Sequence, residues 1–184
     1  MGIPILFLIL HRFHYFKSSA ASKTNRRFLR YLEKFINTTH QSSFMPVETR
    51  EISVTGKEDC GIVDITEIIS EEVRKSTIRN GTVTIFCIGS TGAITTMEFE
   101  PNLSKDLSET LNQLIPLDRD YHHHKTWGDY NGGSHLRAML IGPSLTVPFI
   151  EKNLTLGTWQ QIVYINFDRI EKVRRILLQI LGDF

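Results

Sequence analysis

From residue 47 onward, the sequence consists of short β-branched and aromatic runs separated by turn residues, and this pattern restricts the chain to a strand-rich fold. VETREISV and AITTMEFE alternate apolar and polar residues, so each predicts a strand with one buried face. Between them, TVTIFCIG is apolar enough to be buried on both faces. We predict that these three runs are neighbouring strands of one sheet.

Two segments have the spacing of amphipathic helices. DITEIISEEVRKSTI places four apolar residues on one helical face, and the turn signal Asn80-Gly81 closes it. LSKDLSETLNQLI repeats leucine at helical spacing. The residues predicted to face the core are Ile65, Ile68, Ile69 and Val73 in the first helix, and Leu103, Leu107, Leu111 and Leu114 in the second.

The remaining chain adds one short helix and further strands. SHLRAMLIG predicts a helix that ends at Gly142, and LTVPFI, NLTLG and WQQIVYINF predict strands. KVRRILLQIL fits a strand or a helix equally well. Many short strands with few helices indicate an α+β fold, a mainly antiparallel sandwich or partly closed barrel with a few packed helices.

Residues 1–44 differ in charge from the rest of the chain, since they hold seven Lys or Arg and one acidic residue. Their apolar run IPILFLIL is too short for a bilayer crossing, which needs about 20 residues, and lacks the preceding positive charge of a signal peptide. We expect residues 45–184 to form the domain. Residues 1–44 are then a basic extension, either disordered, helical around 24–37, or an artefact of a start site upstream of Met45.

Composition also gives expectations for location and partners. The only cysteines, Cys60 and Cys87, form neither a CxxC motif nor a disulfide framework, which fits a reducing compartment. We expect a cytoplasmic protein with no membrane partner. Nucleic-acid binding would depend on the basic residues 12–34 alone, so no nucleic-acid partner is predicted.

The chemistry is concentrated in YHHHKTWGDYNGGSHLRA, residues 121–138. Four of the seven histidines fall within fourteen residues, and three glycines let the backbone approach a ligand. Such a segment offers metal ligands, proton carriers and phosphate donors together. In an extended loop, His122 and His124 would point away from His123, so only one face of the triplet can look into a site.

Over residues 46–184 the chain resembles the YjbQ family, also called the secondary thiamine-phosphate synthase family. The matching segments are GIVDIT (61–66), IRNGTVTIF, GSTGAITTMEFEP (89–101), DYHHHKTWGDYNGGSHLRAMLIGPSLTVPF (120–149) and LGTWQQIV (156–163). The resemblance implies a strand-rich α+β domain that forms a homotrimer. It also implies an activity, the joining of a hydroxymethylpyrimidine diphosphate to a thiazole phosphate with release of pyrophosphate.

Such a transfer needs its leaving phosphates neutralised, which a divalent cation and fixed Lys or Arg charges can do. The expected cofactor is zinc, manganese or magnesium, and mixed imidazole and carboxylate ligation favours the first two. The resemblance favours His123 within the triplet. We predict His123 and His135 as metal ligands and Glu98, Lys125 and Asp129 as catalytic residues.

Two turns that contain glycine, GSTG and NGGS, offer backbone amides to a phosphate, and Ser134 is predicted to cap the helix that follows. The expected substrate is a small phosphorylated heterocycle. The residues predicted to bind it are Ser90, Thr91, Thr95, Asn131, Ser134, Arg137 and Gln160.

Two positions depart from the family pattern. Tyr130 stands where the family tends to have an acid, and Gly133 stands where it tends to have a histidine. If those groups hold the metal, their loss abolishes metal-assisted chemistry, and the chain becomes a metal- or phosphate-binding protein without turnover. A second alternative is a metal-assisted phosphate-ester hydrolase, which would use the same ligands around an activated water.

Overall fold

The computed structural model describes residues 45–184, in which eight strands form two antiparallel sheets. The five-stranded sheet has the order β1-β8-β3-β5-β6. Its strands are β1 (Val47–Gly56), β3 (Asn80–Cys87), β5 (Ser144–Ile150), β6 (Asn153–Leu154) and β8 (Lys172–Asp183). The three-stranded sheet has the order β2-β7-β4, with β2 (Gly61–Asp64), β7 (Gln161–Asn166) and β4 (Gly92–Met97). Together the sheets form a half-barrel, which confirms the predicted fold class.

Four helices accompany the sheets in this part of the chain: α1 (Thr66–Lys75), α2 (Pro101–Leu114), the single turn α3 (His124–Trp127) and α4 (Gly132–Ile141). Helix α2 begins after Glu100, whose carboxylate accepts hydrogen bonds from the N–H groups of Asn102 and Leu103. Helix α4 ends at Gly142, as the sequence predicted.

The three-stranded sheet is buried on both faces because it lies between two apolar clusters. Alternate residues of β4 and β7 face opposite sides. Ile94, Ile162 and Tyr164 join the cluster that includes the five-stranded sheet and α1. Ala93, Val163 and Ile165 join the cluster that includes α2 and α4. This double burial explains why β7 is apolar at nearly every position.

The prediction that VETREISV, TVTIFCIG and AITTMEFE are neighbouring strands of one sheet was wrong. Strand β4 lies in the three-stranded sheet, and β8 separates β1 from β3. Within β8, Leu177 is paired with Glu51 on one side and with Phe86 on the other. The ambiguous run KVRRILLQIL is therefore a strand, β8, which lies between β1 and β3 and has hydrogen-bond partners on both sides.

Burial of β3 on both faces was also wrong. Val83, Ile85 and Cys87 are buried, but Phe86 on the opposite face is 42% exposed, because no second layer from residues 45–184 covers that side of the sheet. In the helices, the core positions Ile68, Leu103 and Leu114 are exposed as well. An apolar stripe shows which helical face turns inward, but the packed surface can be narrower than the stripe.

The predictions for residues 1–44, including IPILFLIL and the basic segment 12–34, concern positions outside the described residues. Among residues 45–184, none of the helices has the length and apolar character that a bilayer crossing requires.

Candidate functional site

The segment around α3 and α4 brings three potential metal ligands together. His123 directly precedes α3, Asp129 lies in the loop that follows it, and His135 lies in α4. Their ligand atoms are all within 4.8 Å of one another, the one such group of histidine, cysteine and acidic side chains in residues 45–184. His123 Nε2 is 3.5 Å from Asp129 Oδ1, and the two imidazole centroids are 4.7 Å apart. We call these three residues the histidine centre.

The local sequence explains why only one histidine of the triplet enters this centre. The segment is a helical turn rather than an extended loop, and Gly128 ends it with a φ of 74°. His124 is buried, and its Nε2 accepts a hydrogen bond from the Gly132 N–H at 3.3 Å. His124 therefore links α3 to the start of α4. His122 is exposed, which leaves His123 for the centre.

Hydrogen bonding leaves lone pairs in the centre available. His135 Nδ1 lies 3.2 Å from the Ser90 carbonyl oxygen. Because a carbonyl oxygen only accepts, Nδ1 carries the proton and Nε2 of the neutral ring is free to bind a ligand. His123 Nε2 is buried and has no hydrogen-bond partner among the described residues, although Asp129 Oδ1 lies 3.5 Å away. A buried nitrogen without a partner costs stability unless something binds it.

The donor set fits a divalent transition metal. Tetrahedral zinc with bonds of about 2.0–2.1 Å separates its ligand atoms by about 3.3 Å, close to the 3.5 Å between His123 Nε2 and Asp129 Oδ1. The remaining separations are up to 4.8 Å, so binding would also require the exposed Asp129 side chain and the two imidazole rings to turn towards the ion. Two imidazoles and one carboxylate leave a fourth position open, as in catalytic zinc sites.

Arg137 lies elsewhere, which corrects its expected role in substrate binding. The residue is fully buried, and burial lowers the pKa of its guanidinium. Its Nε and Nη2 donate to the Ile115 carbonyl at 2.9 and 2.7 Å, and Nη2 also donates to Asn112 Oδ1 at 2.8 Å. Arg137 therefore holds the end of α2 and does not face a substrate phosphate.

The expected cap on α4 is also different. Ser134 lies within the first turn of α4 rather than before it, and it is fully buried with an unpartnered Oγ. Asn131 occupies the N-cap position, and its side chain makes no capping hydrogen bond. Its Oδ1 is buried without a partner. Both residues thus lie between His123 and His135 in sequence with unpaired polar atoms.

Two further predicted residues are associated with a separate apolar groove. This groove has a volume of about 350 Å³ and is lined by Thr95, Thr96, Met97, Leu103, Leu107 and Ile141. Gln160 Nε2 donates to Thr96 Oγ1 at 3.2 Å. Ile141 lies six residues after His135 on α4, or about 9 Å along the helix axis at 1.5 Å per residue. Of the predicted substrate-binding residues, Thr95 and Gln160 therefore lie at the groove, whereas Ser90, Asn131 and Ser134 lie near the histidine centre.

The remaining predicted residues take different positions. Ser90 is exposed and contributes its carbonyl to His135, whereas Thr91 is buried. Lys125 is exposed on α3, and Glu98 is exposed beyond the end of β4. Neither of these last two side chains has an ion pair or hydrogen bond to another described residue.

Sequence analysis missed a buried ion pair, Arg174 with Asp168. Their side chains are 11% and 10% exposed, and Arg174 also donates to the Thr91 hydroxyl. The signal lay in KVRRILLQIL. Once this run is assigned as a strand, alternation places Arg174 on the same face as the buried Ile176 and Leu178.

The departures at 130 and 133 do not remove a ligand from the centre as it stands. A Cβ on Gly133 would lie 3.2 Å from Leu117 Cδ2 and 3.3 Å from the Pro116 carbonyl oxygen. A side chain at 133 therefore requires Leu117 and the Pro116 carbonyl to give way by a few tenths of an ångström. Tyr130 is 69% exposed, and its ring centroid is 5.0 Å from that of His124.

Comparison with known proteins gives consistent matches. Residues 50–183 match the family model described as UPF0047 protein YjbQ-like. The chain is 38% identical over 139 residues to a UPF0047 protein of Methanothermobacter thermautotrophicus, which covers 76% of this chain and 95% of the relative. It is 34% identical over 120 residues to a UPF0047 protein of Archaeoglobus fulgidus, which covers 65% of this chain and 90% of that relative.

Solved structures agree. The crystal structure of a YbjQ-like protein of unknown function from Sulfolobus solfataricus P2 matches with a TM-score of 0.71 and 33% identity, covering 76% of this chain and 99% of that one. A hypothetical protein of Aeropyrum pernix K1 matches with a TM-score of 0.69 and 28% identity, covering 74% and 99%. The names of these relatives describe no reaction, so the chemistry must be inferred from the site itself.

Proposed function

The chain belongs to the YjbQ-like UPF0047 family, and we propose that it is a metal-dependent transferase that joins a hydroxymethylpyrimidine diphosphate to a thiazole phosphate. The activity is the one that the family resemblance implies. The observation that carries the proposal is the convergence of His123, Asp129 and His135 within 4.8 Å, around an imidazole nitrogen that has no other partner.

In this proposal, His123, Asp129 and His135 would hold zinc or manganese, which would supply positive charge for a departing pyrophosphate. The chain's own residues set the geometry. The Ser90 carbonyl fixes the His135 imidazole. Lys125, exposed two residues after His123 and free of ion pairs with the described residues, provides a fixed cation for a substrate phosphate.

The apolar groove supports a heterocyclic substrate. Its volume of about 350 Å³ lies within the range of ligand pockets, about 300–1,000 Å³. The apolar side chains of Met97 and Ile141 suit a flat ring, and the Thr96–Gln160 hydrogen bond places polar groups at the same groove.

One observation favours the alternative of binding without turnover. Arg137 is buried and binds the end of α2. Of the two cations Lys125 and Arg137, therefore, only Lys125 is exposed. A diphosphate leaving group needs more neutralisation than one lysine gives, and the metal would have to supply it. A site with weaker stabilisation would still bind a metal or a phosphate.

Metal titration tests the centre directly. We would add zinc and manganese to chelator-treated full-length protein by isothermal titration calorimetry. We expect one equivalent to bind, and His123→Ala and His135→Ala each to weaken affinity at least about 100-fold, since each removes a ligand. His122→Ala is the matched control, because His122 is adjacent and exposed. Absence of binding to the wild-type protein would overturn the metal centre.

Turnover is a separate question. Metal-loaded protein would be incubated with both phosphorylated substrates, with pyrophosphate release and thiamine phosphate measured together. We expect product only with metal, and a loss of about 10-fold in Lys125→Met, as for one charge-assisted hydrogen bond of about 1.5 kcal/mol. Metal binding without product would support the alternative of a metal- or phosphate-binding protein without turnover. Release of phosphate from a single substrate would support the hydrolase.

We also propose a homotrimer, as the family resemblance implies. Leu136, Met139 and Leu140 are exposed at helical spacing on one face of α4, and Met139 is 76% exposed. Burial of such a face on association is favourable. Sedimentation velocity should show a trimer, and Leu140→Glu should dissociate it. A wild-type monomer would contradict the proposal.

We place the protein in the cytoplasm. Cys60 and Cys87, the only two cysteines of the chain, are both buried and free, as expected in a reducing compartment. Fractionation of cells that express the full chain tests this location, and recovery from a secreted or membrane fraction would contradict it.

A further inference from the structure

A buried ion pair lies beneath the turn that joins β3 to β4, and the proposed metal site does not include it. Arg174 Nη2 donates to the Asp168 carboxylate, and both side chains are about nine-tenths buried. Lys172 Nζ lies 3.6 Å from the same carboxylate oxygen. Placing charge in this position is costly unless the groups are held in a defined geometry.

Arg174 holds the turn at two points. Its Nη2 also donates to the Thr91 hydroxyl. Gly89 has a φ of 140°, and a Cβ built there would lie 2.5 Å from Arg174 Nη1, so the backbone rests directly on the guanidinium. The Thr91 carbonyl in turn accepts a hydrogen bond from the Phe167 N–H at 2.9 Å.

Ser90 lies between Gly89 and Thr91, the two turn residues that Arg174 contacts. Its side chain is exposed and makes no hydrogen bond with the described residues, but its carbonyl lies 3.2 Å from His135 Nδ1. The direction of that carbonyl therefore depends on Gly89 and Thr91, and through them on Arg174.

We propose that Arg174 is a positioning residue for the histidine centre. By fixing the turn, it directs the Ser90 carbonyl at His135 and keeps the ring in the tautomer that carries its proton on Nδ1. The Nε2 lone pair is then available to a metal. Arg174 acts through the turn, and its own contacts are Asp168, Thr91 and Gly89. The inference deepens the proposed function, but the contacts that carry it do not require a metal.

Strand β8 supplies a matched control. Arg175 is the next residue and carries the same charge, but alternation directs it to the opposite face. There it pairs with Glu51 through hydrogen bonds of 2.7 and 2.6 Å and remains exposed. Replacing each arginine with methionine therefore removes one cation from the same strand, and only one of the two contacts the turn.

The first experiment reads the tautomer of His135 in the full-length, metal-free protein. Long-range proton–nitrogen NMR spectra of nitrogen-15-labelled protein would be recorded over a rising pH series until they no longer change. We expect a proton on Nδ1 in wild type and Arg175→Met, and a shift towards Nε2 in Arg174→Met. Arg174→Lys should retain part of the wild-type signal. An unchanged signal in folded Arg174→Met would overturn the proposal.

The second measurement is zinc affinity. Loss of an outer residue that orients a ligand typically weakens metal binding by about 10- to 100-fold. We expect that loss in Arg174→Met and no change in Arg175→Met. Equal losses in both variants would overturn a role specific to Arg174. If the wild-type protein binds no zinc, the proposed metal centre fails, while the tautomer still decides this inference.

A milder variant covers the case in which Arg174→Met does not fold. Thr91→Val removes the hydroxyl that accepts from Arg174 and leaves the Arg174–Asp168 pair in place. We expect a smaller shift of the His135 signal in the same direction. No shift in this folded variant would contradict the proposal independently.

Discussion

The molecule contains two kinds of buried polar region, and they differ in how completely their atoms are paired. Asn166 is fully buried, and its Nδ2 lies 3.1, 2.9 and 3.0 Å from the carbonyls of Gly56, Lys57 and Ile170. Arg137 makes three hydrogen bonds in a similar setting. In and beside the histidine centre, by contrast, His123 Nε2 and Asn131 Oδ1 have no hydrogen-bond partner among residues 45–184.

This difference separates residues that stabilise the fold from residues that are available to a ligand. A paired buried group contributes modestly to stability, whereas a buried group without a partner costs about 1–3 kcal/mol. Among residues 45–184, the same cost falls outside this region only on Arg174 Nε, whose guanidinium is otherwise bonded to Asp168 and Thr91. A ligand that binds His123 would offset the cost at its Nε2.

The largest effect is expected from replacing Arg137, a fully paired buried residue that binds the end of α2. Arg137→Met leaves the Ile115 carbonyl and the Asn112 amide without their donor, so we expect the free energy of unfolding to fall by about 3–4 kcal/mol in urea denaturation. Zinc affinity of the folded fraction should not change. Lys125→Met, an exposed cation, should stay within about 0.5 kcal/mol of wild type. If Arg137→Met remained stable but lost zinc binding, Arg137 would belong to the functional site and not only to the fold.

The second test removes a ligand from the other region. Asp129→Asn keeps the size of the side chain but removes its charge, so we expect zinc affinity to fall up to about 100-fold, or about 2.7 kcal/mol. Urea stability should stay within about 0.5 kcal/mol because Asp129 is exposed. Asp106→Asn, an exposed acid on α2, is the control for nonspecific charge effects. Equal affinities for both variants would remove Asp129 from the centre.

A third test concerns the departures from the family pattern. Gly133→His should lower stability by about 2 kcal/mol, because the added side chain meets Leu117 and the Pro116 carbonyl. It should therefore not add a metal ligand. Tyr130→Asp changes an exposed residue, and its effect on stability should be small. Thermal denaturation of both variants measures this, and tighter zinc binding by a stable Gly133→His protein would contradict the packing argument.

The smallest expected effect is a pH dependence at the junction of β1 and α1. Hydrogen bonds from Arg50 and Thr77 lower the pKa of Glu48 from 4.5 to about 2. A carboxylate whose pKa is lower in the folded state stabilises the protein above pH 4.5 and loses that contribution as pH falls towards 2. Solvent screening limits the gain to about 1 kcal/mol.

Glu48→Gln should therefore flatten the stability profile in that acid range and leave it unchanged near neutral pH apart from a constant offset. Glu109→Gln is the control, since this carboxylate lies 3.8 Å from Lys105 on an exposed helix surface. Identical acid profiles for wild type and Glu48→Gln would show that the pairing has no effect on stability.

Much of the fold could be predicted from periodicity, because alternation and helical spacing report which face of an element is buried. Periodicity does not report which strands are neighbours. Strand β4 alternates as β1 does, yet β4 pairs with β7 and β1 pairs with β8. The assignment of β8 itself required its partners on both sides, since a long apolar run suits either kind of element.

The residues of the candidate site also differ in how far local sequence predicts them. His123, Asp129 and His135 lie within thirteen consecutive residues, so local sequence alone was enough to group them. The roles of Arg137 and Arg174 were harder to predict, because they depend on which face of its helix or strand each residue occupies. Arg137 falls on the buried face of α4 beside Ala138, and Arg174 falls on the inner face of β8. Charge suggested a substrate-binding side chain at Arg137 and gave no signal at Arg174.

The position of β8 between β1 and β3 in the five-stranded sheet has a consequence for biosynthesis. Strand β1 pairs with β8 along its full length, from Val47 with Leu181 to Gly56 with Lys172. On a ribosome, β1 therefore emerges more than one hundred residues before its partner, and the nascent chain must keep this strand from pairing with other molecules in the interval. Translation that pauses before residue 172 would expose both β1 and the β8-facing edge of β3 to aggregation.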